Sequence, residues 1–188
     1  DHLLSLIQYN VSRGLRWNKA LLKQLVSYAM PSLPPLGVFD DDILFFGYSI
    51  ITRASQNLPN CLAPTRSQMA NVHSTWINIL PFPKLRENLM NCEASFDHGE
   101  FMHDLVGGLV DVTRFTRPIL HADDDEVTTG RNGLIIWGEP YLMESWEATP
   151  GFLTKWGWVV EGCQELIESS NRWRTARGEE AIKVSSLE

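Results

Sequence analysis

Apolar residues in the first 30 positions recur at steps of three and four. Leu4, Ile7, Val11, Leu21, Leu25 and Tyr28 share one stripe, which Gly14 and Asn18 complete and Leu3, Leu15 and Leu22 widen. Gln8, Arg13, Arg16, Lys19 and Lys23 fall on the other side. This periodicity predicts an amphipathic helix over residues 2–30, with an oily stripe that must pack on something. Pro31, Pro34 and Pro35 end it. Asp40-Asp41-Asp42 ahead of Ile43-Leu44-Phe45-Phe46 predicts a second, buried helix through Tyr48, Ile50, Ile51 and Ala54 to Asn57, because acidic residues favour a helix start. Residues 58–83 contain Pro59, Pro64, Pro81 and Pro83 and predict a long, largely extended loop wrapped around the core. Val72, Trp76, Ile77, Ile79 and Leu80 are its expected anchors.

Further along, Pro83 suits the first position of a short helix through Leu85, Leu89 and Met90. Asp97 and Glu100 imitate a capping box, with Phe96 and Phe101 as a hydrophobic staple around it. That helix runs through Met102 and Leu105, and Gly107-Gly108 weakens it. Asp123-Asp124-Asp125-Glu126 reads as an exposed acidic loop. Arg131-Asn132-Gly133 is a turn signal ahead of Leu134-Ile135-Ile136-Trp137-Gly138, the best strand candidate, expected as an isolated extended segment or a small hairpin. Thr149-Pro150 is an N-cap followed by Pro at N1. Phe152, Trp156, Val159, Cys163, Leu166, Ser170 and Trp173 then follow in helical register, and Gly178 can close the run. One helix over residues 150–177, near 40 Å long at 1.5 Å per residue, is the expected central spine.

The pattern therefore predicts a mainly α, single-domain helical bundle spanning residues 1–188. Its two long helices, 2–30 and 150–177, pack against each other, with long Pro-rich loops, a minor extended segment at most, and a flexible tail over 179–188. Composition agrees with a globular chain: of 188 residues, 44% are apolar and 21% charged. No apolar run approaches the ~20 residues that a membrane span needs, so no membrane partner is expected. The net charge of -7 argues against a nucleic-acid-binding surface, since such a surface repels phosphates on average. Cys61, Cys92 and Cys163 are odd in number and lack CxxC spacing, which fits reduced thiols better than a disulfide framework.

Catalytic motifs are missing: there is no GxGxxG, Walker loop, GxSxG or HExxH. Neither a cofactor nor a metal is expected. The best cluster of reactive types is His98, Glu100, His103 and Asp104. Its Glu-x-x-His spacing matches half of a di-iron site, but a second copy is lacking. Caps and satisfied surface groups explain it more simply. His73, Trp76 and His121 are candidate pocket residues, although a lone His beside aromatics is more often a hydrogen-bonded core group. Cys163 sits on the apolar stripe and reads as a small hydrophobe. Seven Trp is a high count, and Trp137 and Trp156 are the ones singled out as pocket candidates, against the plainer reading of core filling.

Several blocks carry a resemblance. They are the opening 1–13, Leu62-Ala63-Pro64-Thr65, the run from Trp76-Ile77-Asn78-Ile79-Leu80-Pro81-Phe82-Pro83 to Arg86 and Leu89, and His103-Asp104-Leu105-Val106-Gly107. Gly133 to Pro140, Lys155-Trp156-Gly157-Trp158 and Asn171-Arg172-Trp173-Arg174 complete the set. Together they resemble the fungal domain of unknown function found downstream of the basic leucine zipper in fungal transcription factors. The resemblance implies a nuclear or nucleo-cytoplasmic regulatory role and transfers no catalytic residue. The chain holds neither a basic region nor zipper heptads, so any DNA contact belongs to a basic region outside it. It also departs from the family's usual adjacent His residues before Trp, reading Val72-His73-Ser74-Thr75-Trp76.

The leading expectation is a regulatory or interaction module that takes a protein partner or a small effector. A homodimer is a further possibility for the exposed face of the first helix. The competing expectation is an enzyme or small-molecule binder with a Trp-lined pocket built on Glu100, His103 and Asp104. For that, these groups must converge with aromatics on a concavity of roughly 300 Å³ or more.

Overall fold

A computed structural model describes residues 2–29, 47–106 and 133–182. The predicted acidic helix start at 40–42, Gly107-Gly108, His121 and the acidic run 123–126 lie outside the described residues. Among those described are six α-helices and five short strands, joined by 3-10 turns at Asn60–Leu62, Thr75–Ile79 and Met143–Ser145. The chain is mainly helical, but the predicted bundle of two long helices is wrong, because two antiparallel sheets are built into it.

Helix α1 covers His2–Leu25 and then gives way to strand β1, Val26–Ala29. β1 pairs antiparallel with β2, Tyr48–Ala54, from Val26 opposite Ala54 to Ala29 opposite Ile50, with a bulge between Ser27 and Tyr28. Part of the predicted second helix is therefore a strand. Ile50, Ile51 and Thr52 are β-branched, and Ser49 and Ile51 are buried in alternation while Tyr48 is exposed. The short β3, His73–Ser74, pairs with the start of β2 to complete the three-stranded sheet.

The segment 58–83 is far from a bare extended loop. Besides its two 3-10 turns it contains α2, Arg66–Ala70, started by a capping box in which Thr65 Oγ1 accepts from Gln68 N and Gln68 Oε1 accepts from Thr65 N. Trp76, Ile77, Ile79 and Leu80 are buried as expected, whereas Val72 is half-exposed. Helix α3, Pro83–Asn91, starts with Pro83 as predicted and buries Leu85 and Leu89. In α4, His98–Val106, Glu100 N donates to Asp97 Oδ1 (2.9 Å) and the Phe96 and Phe101 rings meet at 5.9 Å.

Leu134–Ile136 is strand β4, paired antiparallel with β5, Trp146–Ala148, so the hairpin alternative holds. Thr149 Oγ1 caps α5, Pro150–Val160, by accepting from Phe152 N. The predicted single spine then breaks: Gly162 adopts φ +72 and α6 begins anew, Gln164–Ala176. A left-handed residue cannot continue a right-handed helix, and glycine takes that conformation at little cost. Nor do the terminal segments pack along each other. α1 lies chiefly on β4, α4 and the 75–79 turn, while α6 lies on β5 and the 143–145 turn. Residues 179–182 fold back onto α6, where Ile182 N donates to Asn171 Oδ1 (2.6 Å) and Arg174 pairs with Glu179.

Candidate functional site

A groove of about 860 Å³ lies between the exposed flank of α1 and the turn after β4. Arg13, Arg16 and Trp17 form one wall, and Trp137 and Glu139 stand on the other, with Gly14 and Pro140 between them. Gly14 permits the close approach. A Cβ there would meet Ile136 Cδ1 at 2.9 Å and Pro140 Cβ at 3.1 Å. The two walls are also bolted together by Asn18, which is fully buried and donates through Nδ2 to Ile79 O (3.0 Å) and Pro140 O (3.1 Å). Trp146 Nε1 donates to the same Pro140 oxygen (3.0 Å).

Trp137 is 43% exposed, yet its indole is held on three sides. It stacks on Trp173 (5.4 Å between centroids, 24°), takes the Arg177 guanidinium over its ring at 5.1 Å, and donates from Nε1 to Glu147 Oε2 (2.7 Å). Glu147 is buried to 1% exposure and also accepts two hydrogen bonds from Arg177 (2.8 and 2.6 Å). Those bonds to Glu147, followed by those to Glu179, raise the Arg177 pKa above the usual arginine range. An ion pair with a fork of parallel bonds is rigid, so the aromatic wall is preorganised.

The opposite wall is electrostatically open. α1 carries Arg13, Arg16, Lys19 and Lys23 and no acidic residue. Arg13 and Arg16 are exposed and form no ion pair or side-chain hydrogen bond among the described residues. Trp17, 55% exposed, stands beside them.

Of the residues predicted from sequence as a site, only Trp137 lines this groove. His73 and Trp76 are core groups instead. His73 is held between Asn71 O (2.9 Å) and Asn78 Oδ1 (2.7 Å). Asn78 Oδ1 also accepts from Gln68 Nε2, and Gln68 Oε1 accepts from Arg86 Nε (3.0 Å). Trp76 is buried between the rings of His98 (5.6 Å) and Phe101 (5.7 Å). Glu100, Asp104 and Trp156 do meet, but around Lys155. Its Nζ lies 2.8 Å from Glu100 Oε1 and 2.6 Å from Asp104 Oδ2, which also accepts from Trp156 Nε1 (2.8 Å). Burial pulls the Lys155 pKa down, and the bonds to Asp104 and Glu100 outweigh it, leaving the pKa raised. His103 is exposed outside this clasp. These groups fasten α4 to α5 rather than surround a concavity. Among the described residues no three His, Cys, Asp or Glu side chains gather as a metal site requires.

In the sequence Arg13 and Arg16 are an ordinary polar face, and the expected site omits Trp17. The available signal was a large aromatic at a solvent-facing position of an amphipathic helix.

The family model described as Domain of unknown function (DUF3425) matches residues 41–167. The chain belongs to this family. The DUF3425 span includes the Trp137–Pro140 wall of the groove, while α1 and the Arg177 clamp lie outside it. No curated protein and no solved structure matches the chain. Among the described residues no helix is long and apolar enough to cross a membrane.

Proposed function

We propose that this DUF3425 chain is the regulatory interaction module of a fungal transcription factor of the basic leucine zipper type, acting in the nucleus. The carrying observation is the arginine–tryptophan groove, with its preorganised Trp137 wall, on a chain of net charge -7. Clustered exposed charge, unpaired among the described residues, beside exposed aromatics is the composition of a recognition surface, since desolvated Trp and Arg supply most binding energy at interfaces. The resemblance to the domain that accompanies fungal basic leucine zippers supplies the regulatory context. DNA contact then falls to a basic region elsewhere, in keeping with a net charge of -7.

The test is a reporter assay with the complete factor in its host. Deleting residues 1–188 of this chain should change regulated expression while leaving DNA occupancy by the basic region intact. Unchanged expression under every inducing and repressing condition refutes the module.

A further inference from the structure

The exposed side of α1 continues the groove as a stripe. Leu6, Tyr9, Arg13, Trp17 and Ala20 follow at steps of three and four, with Arg16 beside them. Leu6 is 54% exposed and Tyr9 53%. The stripe lies opposite the face that buries Val11, Leu15, Asn18 and Leu22, so it belongs to no core. From Leu6 to Ala20 it spans fourteen residue steps, about 21 Å of helix. Apolar groups flank the cationic pair along that length. A small effector can fill the groove beside Trp137 but cannot reach Tyr9 and Leu6 as well. A peptide can, since about seven extended residues or four helical turns cover the distance.

Charge selects the kind of peptide. A neutral or basic segment lying here would desolvate Arg13 and Arg16 without giving them a counter-ion, and among the described lining residues it would find only Glu139 to pair with. An acidic segment pairs both. In a chain of net charge -7, α1 carries four cations and no acidic residue, so charge favours an acidic ligand there. We infer that the stripe and groove dock an acidic amphipathic peptide of a partner protein, carboxylates on Arg13 and Arg16 and aromatic or aliphatic anchors on Trp17, Trp137 and Tyr9. This inference rests on the interaction-module reading and names its partner chemistry.

The test uses the whole 188-residue chain and a fluorescein-labelled peptide of about fourteen residues in which Asp and Glu alternate with Phe and Leu. Fluorescence anisotropy should show saturable binding that weakens with added salt, because the pairs are exposed. R13E/R16E should weaken it at least about tenfold, as should W17A. Both variants alter exposed side chains, so native circular dichroism and unfolding midpoint should persist and exclude misfolding. A Lys-for-acid version of the peptide should not bind. Absence of binding, or binding that R13E/R16E leaves unchanged, overturns the inference. So does sedimentation showing a self-associated chain that R13E/R16E dissociates, because the stripe then belongs to a second copy. Any of these failures combined with an intact reporter effect sinks the acidic-peptide docking and leaves the module standing. Loss of the reporter effect sinks the module itself.

Discussion

Arg86 is buried at 0% exposure and forms no ion pair among the described residues, so replacing it sets two large terms in opposition. Its guanidinium donates from Nη1 to Cys61 O (2.7 Å) and Leu80 O (2.7 Å), from Nη2 to Ala63 O (2.6 Å), and from Nε to Gln68 Oε1 (3.0 Å). Burial lowers its pKa to about 10, the nearby Cys61, Glu87 and Tyr28 only partly countering. A drop of that size corresponds to about 3 kcal/mol of uncompensated charge. Arg86→Met removes this cost while keeping most of the volume. Against it stand three backbone carbonyls that lose their donor, each costing about 1–3 kcal/mol where water cannot enter. Taking about 2 kcal/mol for each gives about 6 kcal/mol, so the bonds win and Arg86→Met should destabilise by about 3 kcal/mol. Urea unfolding followed by tryptophan fluorescence reads this as a lower midpoint with an unchanged slope. Gln68→Ala combined with Arg86→Met should fall short of additivity by about 1 kcal/mol, because the two share one bond. A variant as stable as the parent would show that the buried charge outweighs the carbonyls it bridges, and the account of Arg86 as the clasp of segment 58–83 would be wrong.

Four further outcomes are expected. Asn18→Ala strips donors from Ile79 O and Pro140 O and should cost about 2 kcal/mol in thermal or chemical unfolding; a cost near zero would mean that the groove walls are held by packing alone. Gly162→Ala forces a Cβ into a residue at φ +72 and should cost about 1–2 kcal/mol, read by calorimetry, and an unchanged midpoint refutes the strain argument. Titration with a thiol reagent should find one fast thiol in the native chain, Cys92, and all three after denaturation, since Cys61 and Cys163 are buried; two or more fast native thiols contradict this. Burial, then Glu165, pushes the Cys163 pKa up to about 12. The folded value lies above the usual one near 9, so the stability tied to this thiol is whole below about pH 9 and is lost as pH rises toward 12. Cys163→Ala should remove that part of the alkaline loss.

Local signals were legible in the sequence and non-local ones were not. Pro83 at N1, the Thr149 cap and the Asp97 cap each depend on residues within four positions, and all three occur. The hairpin of Ile135 with Glu147 and the pairing of Tyr28 with Ile51 join positions far apart, and no periodicity in either segment names its partner. The 150–177 misreading is more instructive. Phe152, Trp156, Val159, Cys163, Leu166 and Ser170 keep one phase across the break, because both α5 and α6 bury that face. Phase continuity mimics chain continuity, and Gly162, which turns left-handed there, is the signal of the break in the sequence.

The same limit explains the groove. Trp17 and Trp137 stand 120 positions apart, and they share a concavity where α1 packs on β4, with Gly14 permitting close approach and Asn18 tying the helix to the Pro140 carbonyl. An aromatic with its indole clamped by Glu147, Trp173 and Arg177 has already lost its rotamer freedom. Docking against it therefore costs little additional side-chain entropy, which is the advantage of a preformed wall. Arg13 and Arg16 differ: they are exposed on α1 and have no ion-pair partner among the described residues, so a ligand must order them. The clamped wall supplies shape and the exposed pair supplies charge. Substitutions at Trp137 should accordingly act on dissociation, and those at Arg13 and Arg16 on the salt-dependent rate of association. Stopped-flow mixing of the acidic peptide with each variant separates the two, and equal effects on both rates would show that this division of labour does not exist.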